Sequence, residues 1–342
     1  MKTQISYTIN IAGINFHISA PDKVRLNHKV KYFLIKSKRT PDSSKNVPDP
    51  NKNIPASNKK VSDSNKNKSA SSKYLSASDK SILDSEKKVP DSNKSILDPD
   101  IKISIRYEEN ITLDDNTISL DDHIKWSTDK DGAVKIYVMD GNRVQSCMNI
   151  NNVWNNALIL TNVNQKRMIS QLQGVLGEIF FRNCLLQYEG IVIHAAAITC
   201  DNKGIIFSAP SGTGKTTQAK LWKKYMGAKI INADRPAIRT IEEVTYIYGT
   251  LWNGTSKEYT NARVRLHMIV MVEQSPTNEI IRLIGKEAVA KVMPRCFLPY
   301  CTHEIMDLAL KNIEKIIGKT PVYLLKCRPD KEAVELVNQC LE

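Results

Sequence analysis

The sequence lacks the apolar runs that a membrane span or a secretory signal would need. Residues 1–7 contain no apolar core of signal-peptide length, and no stretch approaches the roughly 18 apolar residues of a membrane span. The seven cysteines are an odd number without framework spacing, which does not favour a disulfide-stabilised secreted protein. These absences predict a cytoplasmic protein with no membrane partner.

The sequence also lacks a cluster of basic residues, although it is basic overall. Lysine and arginine number 49 against 36 acidic residues, a net charge of +13, and the lysines are scattered along the chain. A basic surface suits polyanionic partners, nucleotides included, whereas nucleic-acid binding usually shows a basic patch or stripe. We therefore expect no nucleic-acid partner.

Residues 40–102 are poor in apolar residues and consist of nine seven-residue units. Most units carry one apolar residue, whereas a coiled coil needs two per unit, and proline in several units would break a helix. Such a segment cannot bury enough apolar surface to offset its chain entropy. We predict a disordered low-complexity insertion, with a compact β-solenoid as the alternative.

Apolar alternation on both sides of the insertion predicts a small antiparallel β-rich domain over residues 1–160. Residues 4–19 show a hairpin pattern with its turn near Ala12 and Gly13, and residues 31–35 read as a further short strand. These patterns place the antiparallel sheet in the first half of the chain.

The second half, residues 161–342, is predicted to be a separate α/β domain. Apolar residues recur with a period of 3.6 over residues 164–188, which indicates a core helix. Residues 191–198 then read as one buried strand, and strand and helix patterns alternate beyond it. The fold class expected for the whole chain is therefore α+β/α/β.

Residues 209–217, which read APSGTGKTT, carry the clearest chemistry in the chain. They lie between an apolar strand pattern and a helix pattern, which is the context of a Walker A phosphate-binding loop. Glycines let backbone N–H groups turn toward phosphate oxygens, and the helix start adds unpaired N–H groups. The residues predicted to bind the nucleotide are Ser211, Gly212, Thr213, Gly214, Lys215, Thr216 and Thr217.

Two side chains of this loop have predicted roles with ATP and Mg²⁺. Lys215 can bridge the β- and γ-phosphates, and the Thr216 hydroxyl is placed to bind the metal. Asp234 follows a predicted buried strand, at the strand end where ligands of open α/β sheets bind, and is the second predicted metal ligand. His194 lies on the strand preceding the loop strand. Either Asp234 or His194 would orient the attacking hydroxyl.

Four further residues are weaker candidates. Arg235 and Arg239 could contact phosphate, and Trp252 lies in a segment predicted to be flexible, where it could stack on a substrate or base. Glu273 ends another predicted strand and is a second candidate acid for the metal.

The order of these residues resembles the catalytic domain of HPr kinase/phosphorylase, which shares its P-loop core with phosphoenolpyruvate carboxykinase. The resemblance covers roughly residues 165–342. It is strongest to HPr-kinase-like proteins found with ribosomally synthesised modified peptides, on three stretches. These stretches are residues 232–239, 248–252 and 327–334.

The sequence departs from this family at two points. Ala233 stands where the bifunctional kinase has its first aspartate, and the glycine-led second signature of the family is absent. The resemblance therefore implies neither phosphorolysis nor HPr as the substrate.

The sequence thus predicts an ATP-dependent kinase, a phosphotransferase acting on a Ser/Thr hydroxyl of a peptide or small protein, such as a modified-peptide precursor. Its catalytic residues would be Asp234, Lys215 and His194, with Thr216 and Asp234 holding Mg²⁺. A nucleotide-binding pseudokinase without transfer is the second hypothesis, and a basic nucleic-acid-binding protein the third. The resemblance also implies a homo-oligomer, since HPr kinase assembles as a hexamer.

Overall fold

The computed structural model describes residues 4–39 and 101–341, apart from residues 22, 23, 25 and 257. The predicted low-complexity insertion therefore lies outside the described residues, except that residues 101–102 belong to a strand. The first part of the described chain forms one mixed sheet with a short helix. Its elements are β1 (Gln4–Ile11), β2 (Ile14–Pro21), α1 (His28–Tyr32), β3 (Leu34–Arg39), β4 (Ile101–Tyr107), β5 (Ile118–Ser119), β6 (Ile124–Thr128), β7 (Val134–Asp140), β8 (Arg143–Ile150) and β9 (Asn156–Thr161).

The first sheet is not antiparallel throughout, so that prediction is wrong in part. Its strand order is β3-β1-β2-β4-β9-β8-β7-β6-β5 among the described residues. The pairs β2–β4 and β4–β9 are parallel, and the other neighbours are antiparallel. The alternation of apolar residues along the sequence cannot reveal the parallel pairs, because β4 pairs with β2 and not with β3, the strand that precedes it in the chain.

The first hairpin forms where the sequence predicts it. Ala12 and Gly13 both have positive φ, at 55° and 78°, and join β1 to β2. The short strand predicted over residues 31–35 is partly wrong, since α1 continues to Tyr32 and the strand begins at Leu34. The Asn27 side chain accepts a hydrogen bond from the Val30 N–H and caps α1, which explains the helix.

The core helix predicted over residues 164–188 is broken into pieces. A 3₁₀ turn precedes α2 (Ser170–Gln173), and α3 (Val175–Cys184) runs into a second 3₁₀ turn. Gly174 separates α2 from α3 with extended backbone (ψ −166°). Gly177 brings the two helices together, because a Cβ there would lie 2.0 Å from the Leu172 carbonyl oxygen. A continuous helix cannot make this contact.

The remaining chain forms a second mixed sheet with helices packed against it. Its elements are β10 (Gly190–Val192), β11 (Ala195–Cys200), β12 (Lys203–Ser208), α4 (Lys215–Met226), β13 (Lys229–Asn232), β14 (Ala237–Ile241), β15 (Val244–Tyr248), β16 (Arg263–Gln274), β17 (Glu279–Leu283), α5 (Gly285–Val292), α6 (His303–Lys319), β18 (Val322–Cys327) and α7 (Lys331–Gln339). The strand order is β10-β14-β15-β16-β12-β11-β13 among the described residues, with β18 beside β16 and β17 beside β18.

The single strand predicted over residues 191–198 is also wrong, because it breaks at Ile193 and His194. The first piece, β10, pairs with β14, while the second piece, β11, pairs with β12 and β13. His194 therefore lies at a corner between two strand pairings rather than inside a strand.

Three chain segments meet at one edge of this sheet. Strand β11 is antiparallel to both β12 and β13, so β12 and β13 point the same way and end at the edge where β11 begins. In register, Ala195 faces Ser208 and Ala197 faces Asn232. The loop after β12, the turn after β13 and His194 are thereby brought together.

Helix α3 links the two sheets through aromatic packing. Phe16 of β2 contacts Phe180 and Phe181 with ring centroids 6.5 and 6.0 Å apart. Phe181 in turn stacks on Trp252 at 5.0 Å, and Trp154, in the turn between β8 and β9, stacks on Phe180 at 6.3 Å. This cluster buries one face of α3. No helix in the described part of the chain has the length and apolar character to cross a membrane.

Candidate functional site

Residues 209–214 form the loop between β12 and α4. Gly212 and Gly214 have φ of +79° and +116°, a backbone region that side chains with a Cβ rarely adopt. Apart from the glycine itself and its two chain neighbours, no heavy atom of the described residues lies within 4 Å of the position a Cβ would take at either glycine, so the loop is open there. The Gln218 N–H donates to the Gly214 carbonyl oxygen at 2.9 Å, which starts α4 directly after the loop.

Lys215 is the first residue of α4 and folds back into the loop. Its Nζ donates to the carbonyl oxygens of Ala209 and Pro210 at 3.0 and 3.1 Å. Burial lowers the pKa of Lys215, against the nearby charge of Asp234, which raises it. No carboxylate of the described chain forms an ion pair with this ammonium. Within the described chain, this buried cation is therefore hydrogen-bonded to neutral carbonyls alone. The space beside Gly212 and Gly214 in the same loop is open.

The turn after β13 is shaped by the buried side chain of Asn232. Its Oδ1 accepts the N–H groups of Asp234 and Arg235 at 3.0 and 2.8 Å. Its Nδ2 donates to the Thr250 Oγ1 at 3.1 Å and to the Trp252 carbonyl at 3.2 Å. One amide thus ties the turn carrying Asp234 to the neighbouring segment.

Each oxygen of the Asp234 carboxylate has a basic side chain beside it, an imidazole at one and a guanidinium at the other. His194 Nε2 lies 3.3 Å from Oδ1, and Arg235 Nε lies 3.2 Å from Oδ2. The contact with His194 is the main cause that lowers the pKa of Asp234; burial opposes it. The charges of Arg235 and Lys215 lower the pKa of Asp234 further, so it is a carboxylate near neutral pH.

The corner at His194 is fixed through its backbone. The His194 N–H donates to the Arg295 carbonyl oxygen at 2.8 Å, and the His194 carbonyl accepts the Ser208 hydroxyl at 2.8 Å. The Phe297 N–H donates to the Val192 carbonyl at 2.9 Å, which holds the chain after α5 against β10. The site is therefore assembled from the ends of β10, β12 and β13 and the segment after α5.

The structure brings Lys215, Asp234 and His194 to one edge of the second sheet, where the Arg295 backbone also lies; the catalytic roles of the first three stay a prediction. The Arg295 carbonyl accepts the His194 N–H, and, after burial, the positive charge of Arg295 contributes to lowering the pKa of Lys215. Within the described residues Arg295 forms no ion pair with a carboxylate. Sequence reasoning missed Arg295, because it lies in a 3₁₀ turn far along the chain from the loop.

Glu178 is the second residue that sequence reasoning missed. It lies on α3 with its side chain 5% exposed and contacts Arg182 and Arg235 at 3.6 and 3.4 Å. A charged pair four residues apart on an otherwise apolar helix was an available signal for a buried charge.

Of the weaker site candidates named from the sequence, two are buried and one lies beside Asp234. Trp252 is 7% exposed and packed on Phe181, so the prediction of a flexible, substrate-stacking tryptophan is wrong. Arg239 is also buried, and its Nη1 donates to the Ala12 carbonyl at 2.7 Å; its role is to join the first hairpin to the second sheet. The prediction that Arg239 contacts phosphate is therefore wrong. Arg235 does lie in the site, against Asp234.

For the remaining predicted residues, the described part of the chain shows no side-chain contact with Asp234. Ser211, Thr216 and Thr217 are exposed at the loop and the first turn of α4. Glu273 is paired with Lys291 of α5, and no contact with Lys215 or Asp234 is found for it in the described chain. Thr216 and Asp234 as a metal pair stay a prediction.

The arrangement can hold an anion and a cation side by side. The open glycine loop, Lys215 and Arg295 present positive charge and backbone N–H groups to an anion. The Asp234 carboxylate faces the same edge and can accept a metal or a proton-bearing group.

Comparison with known proteins gives a weak likeness. No protein-family model matches the chain, and no curated protein matches it. Among solved structures, the chain is similar to the Hpr(Ser) kinase/phosphatase from Coxiella burnetii, at 11% identity and a TM-score of 0.26. The alignment covers 44% of this chain and 96% of that chain. A likeness with this TM-score carries no argument for fold or function.

Proposed function

We propose that this chain is an ATP-dependent kinase that transfers the γ-phosphate to a Ser or Thr hydroxyl of a peptide or small protein. The observation that carries the proposal is the buried Lys215 ammonium in an open glycine loop, at the sheet edge that also holds the His194–Asp234 pair. A purely structural turn has no need of a buried ammonium without an acidic partner, because burying a charge without a counter-ion is costly.

The residues present fit a nucleotide with Mg²⁺. The loop leaves space where its glycines lack a Cβ, and two cations near it, Lys215 and Arg295, have no acidic partner in the described chain. In the proposal, residues 211–217 hold the phosphates, and Thr216 and Asp234 hold the metal. Bound Mg²⁺ would neutralise phosphate charge during transfer.

In the proposed reaction the acceptor oxygen forms a bond to the γ-phosphorus, and the bond from that phosphorus to the bridging oxygen of ADP breaks. The hydroxyl proton passes to the His194–Asp234 pair, which lies at the same edge as the loop. Arg295 and Lys215 stabilise the charge on the phosphate oxygens. Catalysis would consist of positioning and charge neutralisation.

The second candidate function is a nucleotide-binding pseudokinase. Both oxygens of Asp234 already have partners, His194 and Arg235, and Ala233 supplies no second carboxylate. These contacts favour binding without transfer if Asp234 cannot exchange a partner for metal or acceptor. The division into residues 1–160 and 161–342, with catalysis in the second part, belongs to either proposal.

The test uses the purified full chain. Calorimetric titration with ATP and Mg²⁺ is expected to show binding that Lys215→Ala weakens about tenfold or more. Lys311→Ala, at an exposed lysine of α6, is the matched control and should leave the affinity unchanged.

A second measurement separates the two candidates. The chain is incubated with ATP, Mg²⁺ and Ser/Thr peptides, including any peptide encoded beside it, and the products are read by mass spectrometry. A phosphopeptide supports the kinase, and binding without product supports the pseudokinase. Unchanged affinity in Lys215→Ala would contradict the loop as the nucleotide site and lend weight to the nucleic-acid hypothesis.

A further inference from the structure

Glu178 is a buried acid on α3, a helix made mostly of apolar residues. Its two carboxylate oxygens face different arginines: Oε1 lies 3.6 Å from Arg182 Nη1, and Oε2 lies 3.4 Å from Arg235 Nη1. Both guanidinium groups also lie over the ring of Phe297, at 5.7 and 5.2 Å from its centroid. Glu178 therefore occupies the centre of a compact charged cluster.

Arg235 connects this cluster to the proposed metal ligand. Its Nη1 faces Glu178, while its Nε lies 3.2 Å from Asp234 Oδ2. The one guanidinium is thus shared between two carboxylates, Glu178 and Asp234. Opposite charges this close attract one another in a partly buried site. The attraction of Arg235 to Glu178 therefore competes with its attraction to Asp234.

The position of Glu178 is set by packing, not by the site itself. The rings of Phe180 and Phe181, on the same helix, pack against the rings of Phe16, Trp154 and Trp252. The carboxylate is therefore presented to Arg235 from a rigid helix.

We propose that Glu178 is a positioning residue of the phosphoryl-transfer site: it shares Arg235 with Asp234 and so weakens the hold of Arg235 on Asp234, which leaves Asp234 able to accept Mg²⁺. This inference rests on the proposed function. Without the Glu178 charge, Asp234 would be the one remaining carboxylate in contact with Arg235 among the described residues. The two would then form a stronger ion pair, and Arg235 would compete with the metal for the Asp234 oxygens. Glu178 acts through Arg235 and touches neither nucleotide nor acceptor.

The first test measures how much Mg²⁺ the protein needs. Glu178→Gln is nearly isosteric, and we expect it to raise the Mg²⁺ concentration for half-maximal MgATP binding about fivefold or more. Glu189→Gln, at an exposed acid paired with Lys315, is the matched control and should not change the Mg²⁺ requirement. An unchanged requirement in Glu178→Gln would overturn the proposal.

Two double variants separate positioning from net charge. Glu178→Gln/Arg182→Gln restores the net charge of the cluster; a charge effect predicts the wild-type Mg²⁺ requirement, whereas positioning predicts that the requirement stays raised. In an Arg235→Gln background, Glu178→Gln should add less than about a twofold change. Restoration by the first variant, or a persisting effect in the second, would overturn the proposal.

A third measurement does not depend on nucleotide. Thermal unfolding of apo protein is followed for Glu178→Gln, Arg235→Gln and the double variant. Contact between the two residues predicts that the midpoint of the double variant departs from the sum of the single shifts by about 2 °C or more.

The two failures can then be told apart. If the shifts in the unfolding midpoint are additive and the wild-type chain binds MgATP, the inference about Glu178 is overturned but the proposed function is retained. Non-additive midpoints in a chain that binds no MgATP would leave the contact in place but overturn the proposed function, and the role of Glu178 with it.

Discussion

At the residue scale, the site depends on how Asp234 divides its contacts. One oxygen faces the His194 imidazole and the other faces Arg235, and Lys215 lies near enough to influence its pKa. A carboxylate in this position can neutralise a bound metal while the cations around it attract phosphate. The balance of these charges, more than any single contact, determines what the site can bind.

Asp234→Asn should abolish most of the proposed transfer. The amide keeps the shape of the side chain but removes the charge that would hold Mg²⁺, so we expect phosphoryl transfer to fall about 100-fold or more. The measurement is the initial rate of phosphopeptide formation at saturating ATP. Full turnover by Asp234→Asn would contradict the assignment of Asp234.

The pH dependence of stability follows from the same residue. The folded chain holds the pKa of Asp234 below its ordinary value of 3.8, so the unfolded chain binds this proton more readily. The stabilisation is fully present above 3.8 and is lost as the pH falls below 3.8 through the folded-state pKa.

We therefore expect wild type to be more stable than Asp234→Asn at neutral pH, with a difference that shrinks below about pH 4. Urea unfolding of both proteins across this range measures it. A difference that stays constant into the acid range would count against the charge of Asp234 as its source.

At the element scale, two short connections build the site, the glycine loop before α4 and the turn after β13. The loop needs positive φ at Gly212 and Gly214 to aim its backbone, and the turn needs the side chain of Asn232 to bind two successive N–H groups. Neither connection has a regular hydrogen-bond ladder of its own, so each depends on these few residues.

Gly214→Ala should weaken nucleotide binding through the backbone alone. A Cβ at Gly214 would meet no atom within 4 Å, but φ of +116° is unfavourable for alanine, at a cost of about 1–2 kcal/mol or a distorted loop. Gly318→Ala, also without a close neighbour but inside α6, should instead stabilise the protein by about 0.5–1 kcal/mol. Denaturant unfolding and MgATP titration measure both effects.

Asn232→Ala should loosen the turn that carries Asp234. It leaves the part-buried N–H groups of Asp234 and Arg235 without their acceptor and opens a cavity at a fully buried side chain, and we expect a loss of about 2–4 kcal/mol in the free energy of unfolding. Asn152→Ala, at an exposed asparagine of the first sheet, should change it by less than about 0.5 kcal/mol. Equal effects of the two substitutions would contradict this role of Asn232.

At the scale of the whole molecule, the first sheet supports the site from a distance. Phe16 and Trp154 pack on α3, α3 carries Glu178, and Glu178 contacts Arg235 beside Asp234. A chain of direct contacts thus connects the first sheet to the proposed metal ligand.

Phe16→Ala should therefore affect both stability and binding. Phe16 is 2% exposed, and its truncation is expected to cost about 3–5 kcal/mol and to weaken MgATP binding by loosening α3. Met139→Ala removes a buried side chain from a separate apolar cluster of the same sheet and should cost stability without changing MgATP affinity. Equal affinity losses in the two variants would show that the effect is general destabilisation.

Local patterns predicted the parts of the fold that depend on near neighbours. The hairpin at Ala12 and Gly13 and the strand–loop–helix of residues 203–226 were both readable from spacing and turn chemistry. The parallel pairs of the first sheet, the break at His194 and the burial of Trp252 and Arg239 were not, since each depends on a partner distant in sequence.

The sequence by itself determined the glycine loop, the lysine that enters it and the aspartate after the next strand, because backbone freedom and charge at those positions are local properties. Only the tertiary structure decided that Glu178 and Arg295 join them. Their positions depend on how α3 and the segment after α5 pack, and packing between distant segments leaves no fixed spacing in a sequence.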